Sequence, residues 1–144
     1  SQFRPAPVFL GYKRTMKSLN IFIALTFSVM FSSSSYAGWK TMDETVNGDI
    51  LYVDFERIKK HNGYVYFWHL IDYLKPVAGD LSAKVYSQGD CKLFRFKSLS
   101  YIFYDEPMGG GTGDTVNEPD KEWRDPRPNS VDEEVLQTVC ANKK

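Results

Sequence analysis

After residue 38 the chain reads mostly as strand, with short apolar and polar runs punctuated by turn residues, and it changes to helical spacing only near its end. Asn47-Gly48 separates the runs 39–46 and 49–55. Asn-Gly tolerates positive φ at both central positions of a tight turn, so this segment predicts a hairpin. Asn62-Gly63 repeats the device before 64–74, YVYFWHLIDYL. That run is β-branched and aromatic, with apolar groups on both faces, and predicts a central strand covered on both sides. Pro76 and Gly79-Asp80 are expected to end it, and a weaker alternation follows over 81–87. Gln88-Gly89-Asp90 is expected to turn the chain again. In 91–105, Phe94 and Phe96 share one parity, whereas Leu99, Tyr101 and Phe103 share the other. A switch near Lys97-Ser98 predicts a bulge or bend, in one bent strand or two short ones.

Residues 106–129 show neither period. Gly109-Gly110-Gly111-Thr112-Gly113 is followed by Pro119, Pro126 and Pro128, which predicts a long loop. The helix signal comes next. Ser130 stands at the N-cap position with Glu133 three residues on, a capping box. Asp132, Glu133 and Glu134 suit the positive end of the helix dipole. Val131, Val135, Leu136, Val139 and Cys140 form one apolar stripe. The predicted fold class is therefore α+β: an antiparallel β-meander of five to six strands with one C-terminal helix packed on it.

Charge changes the picture at the other end. The 144 residues carry 18 basic and 18 acidic side chains, yet the first 37 hold Arg4, Lys13, Arg14 and Lys17 and no acid. Residues 38–144 thus carry 14 basic against 18 acidic groups, a net of −4. Within the acid-free part, Met16 and Lys17 precede a mostly apolar run of 13 residues, 19–31, then Ser32 to Ser35 and Tyr36-Ala37. This is the tripartite pattern of a signal peptide over 16–37, cleaved after Ala37. The run is too short for a membrane span, which needs about 20 residues. Residues 1–15 read as an upstream extension outside the fold, and 38–144 as the exported domain, periplasmic or secreted.

Export bears on the cysteines. Cys91 and Cys140 both lie in the mature part. In an oxidising compartment they read most simply as one disulfide, the alternative being two free buried thiols. A helix lying on the sheet by its stripe would bring Cys140 towards Cys91, at the expected start of the fifth strand.

Candidate chemistry is sparse. The Gly-rich run 109–113 lacks the Lys-Ser/Thr pair of a phosphate loop. Asp114, Asn117, Glu118 and Asp120 do not follow EF-hand spacing. His61 sits beside a turn, and His69 in the central strand reads as a sheet residue. No His pair and no Gly-x-Ser-x-Gly turn is present. No catalytic residue, metal or cofactor is assigned, and the acidic balance without a basic cluster argues against nucleic acid. Tyr64, Tyr66 and Trp68 share one strand face, either a buried core face or an aromatic contact surface for a ligand or a second copy. Trp123 stands in the Gly/Pro loop, where it could clasp the sheet or a partner.

Trp39, Tyr52-Val53-Asp54, 68–73 (WHLIDY), Asp90-Cys91, 108–111 (MGGG), Trp123, Pro128-Asn129-Ser130 and Val139-Cys140 occur in an order that resembles the surface-adhesin protein E-like domain of bacterial exported proteins. The resemblance spans roughly 39–140. It implies an antiparallel sheet with its C-terminal helix tied on by a disulfide, and adhesion to extracellular-matrix or serum proteins. A surface lipoprotein would need Cys at the cleavage site, whereas residues 35–38 are Ser-Tyr-Ala-Gly, so the expected product has no stable membrane anchor. The expected function is that of a small exported, non-enzymatic binding domain with a protein partner and an edge available for homodimer pairing. The alternative is a periplasmic enzyme or metal site on the 106–129 loop.

Overall fold

The computed structural model describes residues 38–142. The upstream extension and signal peptide expected over 1–37 lie outside the described residues. The strands are β1 (Trp39–Glu44), β2 (Ile50–Asp54), β3 (Lys59–His61), β4 (Tyr64–Val77), β5 (Asp80–Asp90), β6 (Arg95–Tyr104) and β7 (Gly113–Val116). Among the described residues one α-helix, α1 (Val131–Ala141), follows the strands. All strand pairs are antiparallel, in the order β1-β2-β4-β5-β6-β7, with β3 beside the first residues of β4. The α+β meander with a C-terminal helix is thus as expected, with seven strands in place of five to six.

The turns follow from local chemistry. Asn62 and Gly63 both adopt positive φ (51° and 81°), as a tight hairpin turn requires. The β4–β5 turn uses Ala78 (φ 52°) and Gly79 (φ 94°), one residue before the expected Gly79-Asp80. Pro76 does not end β4. The strand pairs with β5 out to Val77, with a register irregularity after Asp72.

A further correction concerns 88–94. Gln88, Gly89 and Asp90 do not turn; they continue β5, opposite Lys97, Phe96 and Arg95. The turn is 91–94, and the positive φ of Phe94 (52°) removes it from the strand parity in which it was counted. Gly89 misled because glycine in a strand also marks close approach. A Cβ there would come within 2.8 Å of Leu136 and Val65. The expected parity switch is a bulge: Tyr86 faces Ser100 and Ser87 faces Ser98, leaving Leu99 extra.

The core lies between one sheet face and the helix. Leu51, Val53, Val65, Phe67 and Phe96 pack with Val135, Leu136 and Val139. Ser130 caps α1 by accepting from Glu133 N at 3.2 Å, and Glu133 in return accepts from Asn129 N. At the other end, Lys60 donates to the carbonyls of Cys140 and Asn142. The Cys91–Cys140 disulfide joins the helix to the β5–β6 turn.

The 106–129 segment is not an unstructured loop. Its residues 113–116 are β7, paired with 101–104. Beyond them, Asp120 N donates to Ser98 O, and Phe96 and Arg124 exchange both backbone bonds. The segment therefore completes the edge beside β6. Alternation was invisible because the pairing is brief and broken by Pro119.

Candidate functional site

The sheet face turned away from α1 carries the sequence-predicted aromatic residues. β4 points Val65 and Phe67 into the core, so Tyr64, Tyr66 and Trp68 must point the other way. All three are half-buried. They do not form the core face under the helix.

Neighbouring strands add to them. Tyr86 on β5 lies 5.0 Å from Trp68 and 6.2 Å from Tyr66, centroid to centroid. The Tyr66 hydroxyl accepts from Gln88 Nε2 at 3.1 Å. Burial, and then the neighbouring Tyr66, pushes the Tyr86 hydroxyl pKa up. Trp123 arrives from the far edge and stacks on Tyr64 at 5.7 Å and 21°. Arg124 faces the opposite side, over Phe96 at 4.9 Å. The 120–124 stretch thus alternates like a strand, and alternation places Trp123 on the aromatic face.

Cations are interleaved with the rings. Arg95 and Lys97 lie 4.8 and 4.9 Å from the Trp123 centroid. Arg57 reaches Trp39 and Trp68, and Lys84 lies 5.0 Å from Tyr104 and 5.9 Å from Trp39. Such contacts are each worth about 0.5–1 kcal/mol at exposed sites. Sequence reasoning missed Trp39, Tyr86 and these four cations as members of one surface. Tyr86 alternates in phase with Lys84 and Gln88 and could have been found once β4–β5 register was known. Arg57 sits in a 3-10 turn, Phe55–Arg57, and has no periodic signal.

Three carboxylates on this face are turned to backbone amides. Asp54 accepts from Glu56 N, Arg57 N and the Arg57 guanidinium. Asp90 accepts from Leu93 N, Lys92 N and Arg95, and these bonds, the Leu93 amide foremost, hold its pKa below the ordinary value. Asp72 accepts from Met108 N at 2.7 Å. That last bond and the one from Gly109 N to Ser82 Oγ seat the glycine-rich turn on the end of the face. Gly109 is required there: its φ is +70°, and a Cβ would come within 2.6 Å of the Lys84 side chain.

The acidic residues of 106–129 do not converge. Asp120 is engaged by Ser98 N, the Tyr101 hydroxyl and Arg124. Among the described residues no three His, Cys, Asp or Glu side chains come together as a metal site. His61 is exposed. On the core face, burial and then Arg124 push the His69 pKa down to about 4, and its Nδ1 has no hydrogen-bond partner among the described residues. A groove of about 350 Å³ lies between the β1–β2 hairpin and the residues leading into α1, away from the aromatic face. At the end of that face lies a cleft of about 300 Å³, where Tyr64 and Arg95 meet Lys92 and Leu93.

Residues 39–141 match the protein family described as surface-adhesin protein E. The chain belongs to this family. Solved structures of Haemophilus influenzae protein E share its fold. One crystal form has a TM-score of 0.59 at 22% identity, covering 76% of this chain and 92% of that one. A selenomethionine form has a TM-score of 0.58 at 23% identity, covering 76% and 91%. Among curated proteins none matches. The antiparallel sheet with its C-terminal helix is thus the fold of a surface-adhesin protein E family member.

Proposed function

We propose that this protein is an exported, non-enzymatic adhesin-type domain that docks an extracellular or envelope protein on the aromatic face of its sheet. Membership of a family named for surface adhesins supports the class. The observation that carries the site is the gathering of Trp39, Trp68, Tyr66, Tyr86, Tyr64 and Trp123 on the face not covered by the helix. Aromatic residues and Arg are the types enriched in protein interfaces. Tyr64, Tyr66, Trp68 and Trp123 are the proposed contact residues, and Cys91–Cys140 is the structural tie.

The test is binding of the purified protein to immobilised extracellular-matrix and serum proteins, with Tyr66→Ala and Trp68→Ala as the variants. The expected result is saturable binding to one of them that falls tenfold or more in the variants, at roughly the affinity cost of an interface hot spot. Unchanged binding in both folded variants would remove the face from the function.

A further inference from the structure

The charges of the aromatic face bear on what kind of segment it takes, given that it docks a protein. We infer that it receives an acidic stretch of the partner chain, held by Lys97, Lys84, Arg57 and Arg95.

The argument begins with a contrast. Residues 38–144 carry a net charge of −4, yet this face turns cations outward. Two of its carboxylates are withdrawn: Asp54 and Asp90 are only 4% and 6% exposed. Both accept backbone amides, as does Asp72. Acidic clusters stand elsewhere, as in the first turn of α1. Lys84 and Lys97 form no ion pair among the described residues, whereas Arg57 and Arg95 each keep one. Two ammonium groups therefore remain for an incoming anion.

The rings act in the same sense. Trp123 is stacked on Tyr64 and has Arg95 and Lys97 over it, so its electron-rich ring is already engaged. Ring edges carry the positive end of the aromatic quadrupole, and they are what such a stack leaves for a partner. Cations and ring edges together favour carboxylates, and complementary charge sets partner choice and encounter rate. At the end of the face, Lys92 and Arg95 flank the cleft, and Leu93 there is 59% exposed. An acidic segment carrying an aromatic or aliphatic residue matches both parts.

The probe is a fluorescein-labelled peptide of alternating Glu and Tyr, read by anisotropy with the purified protein. A Gln/Tyr peptide and heparin are the comparisons. The Glu/Tyr peptide is expected to bind, to weaken as salt is raised, and to lose about threefold in affinity in Lys97→Gln and about tenfold with Lys84→Gln added. Thermal melts check folding, and Lys97→Gln alone is decisive should the double variant not fold. Equal binding of the Gln/Tyr peptide, binding of heparin without the Glu/Tyr peptide, or an unchanged affinity in Lys97→Gln would each overturn the inference. Loss of partner-protein binding in Tyr66→Ala but not in Lys97→Gln would overturn the acidic segment and leave the docking face standing. Unchanged binding in both would overturn the face itself.

Discussion

Trp123 stacks on Tyr64 with ring centroids 5.7 Å apart, pinning the edge segment after β7 across β6 to the start of β4. The contact bridges the side chains of Arg95 and Lys97, which lie over the same indole. It explains why a stretch rich in Gly and Pro stays laid along the sheet.

Trp123→Ala should therefore loosen that edge without unfolding the domain. A stacked pair is worth about 0.5–1.5 kcal/mol and each cation contact about 0.5–1, so a loss of about 2 kcal/mol is expected. Urea denaturation measures the loss. Hydrogen exchange should show the Phe96 and Arg124 amides losing protection while the β4–β5 amides keep theirs.

The disulfide closes a loop of sequence separation 49. The chain-entropy account then gives a stabilisation on the order of 4 kcal/mol. The double variant Cys91→Ser, Cys140→Ser should lower stability by about that amount, and adding reductant to the wild-type protein should shift its denaturation midpoint to match. A midpoint unmoved by reductant would contradict a bridge that constrains the unfolded chain.

His69 makes stability depend on pH. Its folded pKa is about 4 against an ordinary 6.5, because burial disfavours the imidazolium and Arg124 adds to that. Between those values the unfolded chain binds the extra proton, so stability rises with pH there. It is complete above 6.5 and lost as pH falls towards 4, by about 3 kcal/mol across the window. Denaturant titrations at neutral pH and midway through the window should show the slope, and His69→Phe should flatten it.

Gly89→Ala tests the sheet–helix contact. The new methyl would sit 2.8 Å from both Leu136 and Val65, where the helix rests on β5. Overpacking of this kind costs about 1–3 kcal/mol. Thermal melts should record the loss, and an unchanged midpoint would mean that the helix is free to move away.

The sequence by itself determined the elements whose cause is local. Asn62-Gly63 marks a turn because both positions need positive φ, and Ser130 with Glu133 marks a helix start because the Ser130 hydroxyl accepts from the Glu133 amide and the Glu133 carboxylate from the Asn129 amide. The period of α1 and the parity of β4 follow from backbone geometry, so the aromatic row Tyr64, Tyr66, Trp68 was legible as a row. The tie between Cys91 and Cys140 was legible too, as an expectation from export and helix spacing. Tertiary structure alone decided which side of the sheet was covered, since both faces of β4 are apolar and only the docking of Leu136 against Gly89 selects one. It also decided the turn at 91–94, because Gly89 serves the helix rather than a bend. It made 113–124 an edge lane through bonds to β6 that no local pattern announces. The site itself belongs to that second class. Trp39, Arg57, Tyr86, Lys97 and Trp123 are far apart in the chain, and only long-range register brings their rings and charges onto one surface.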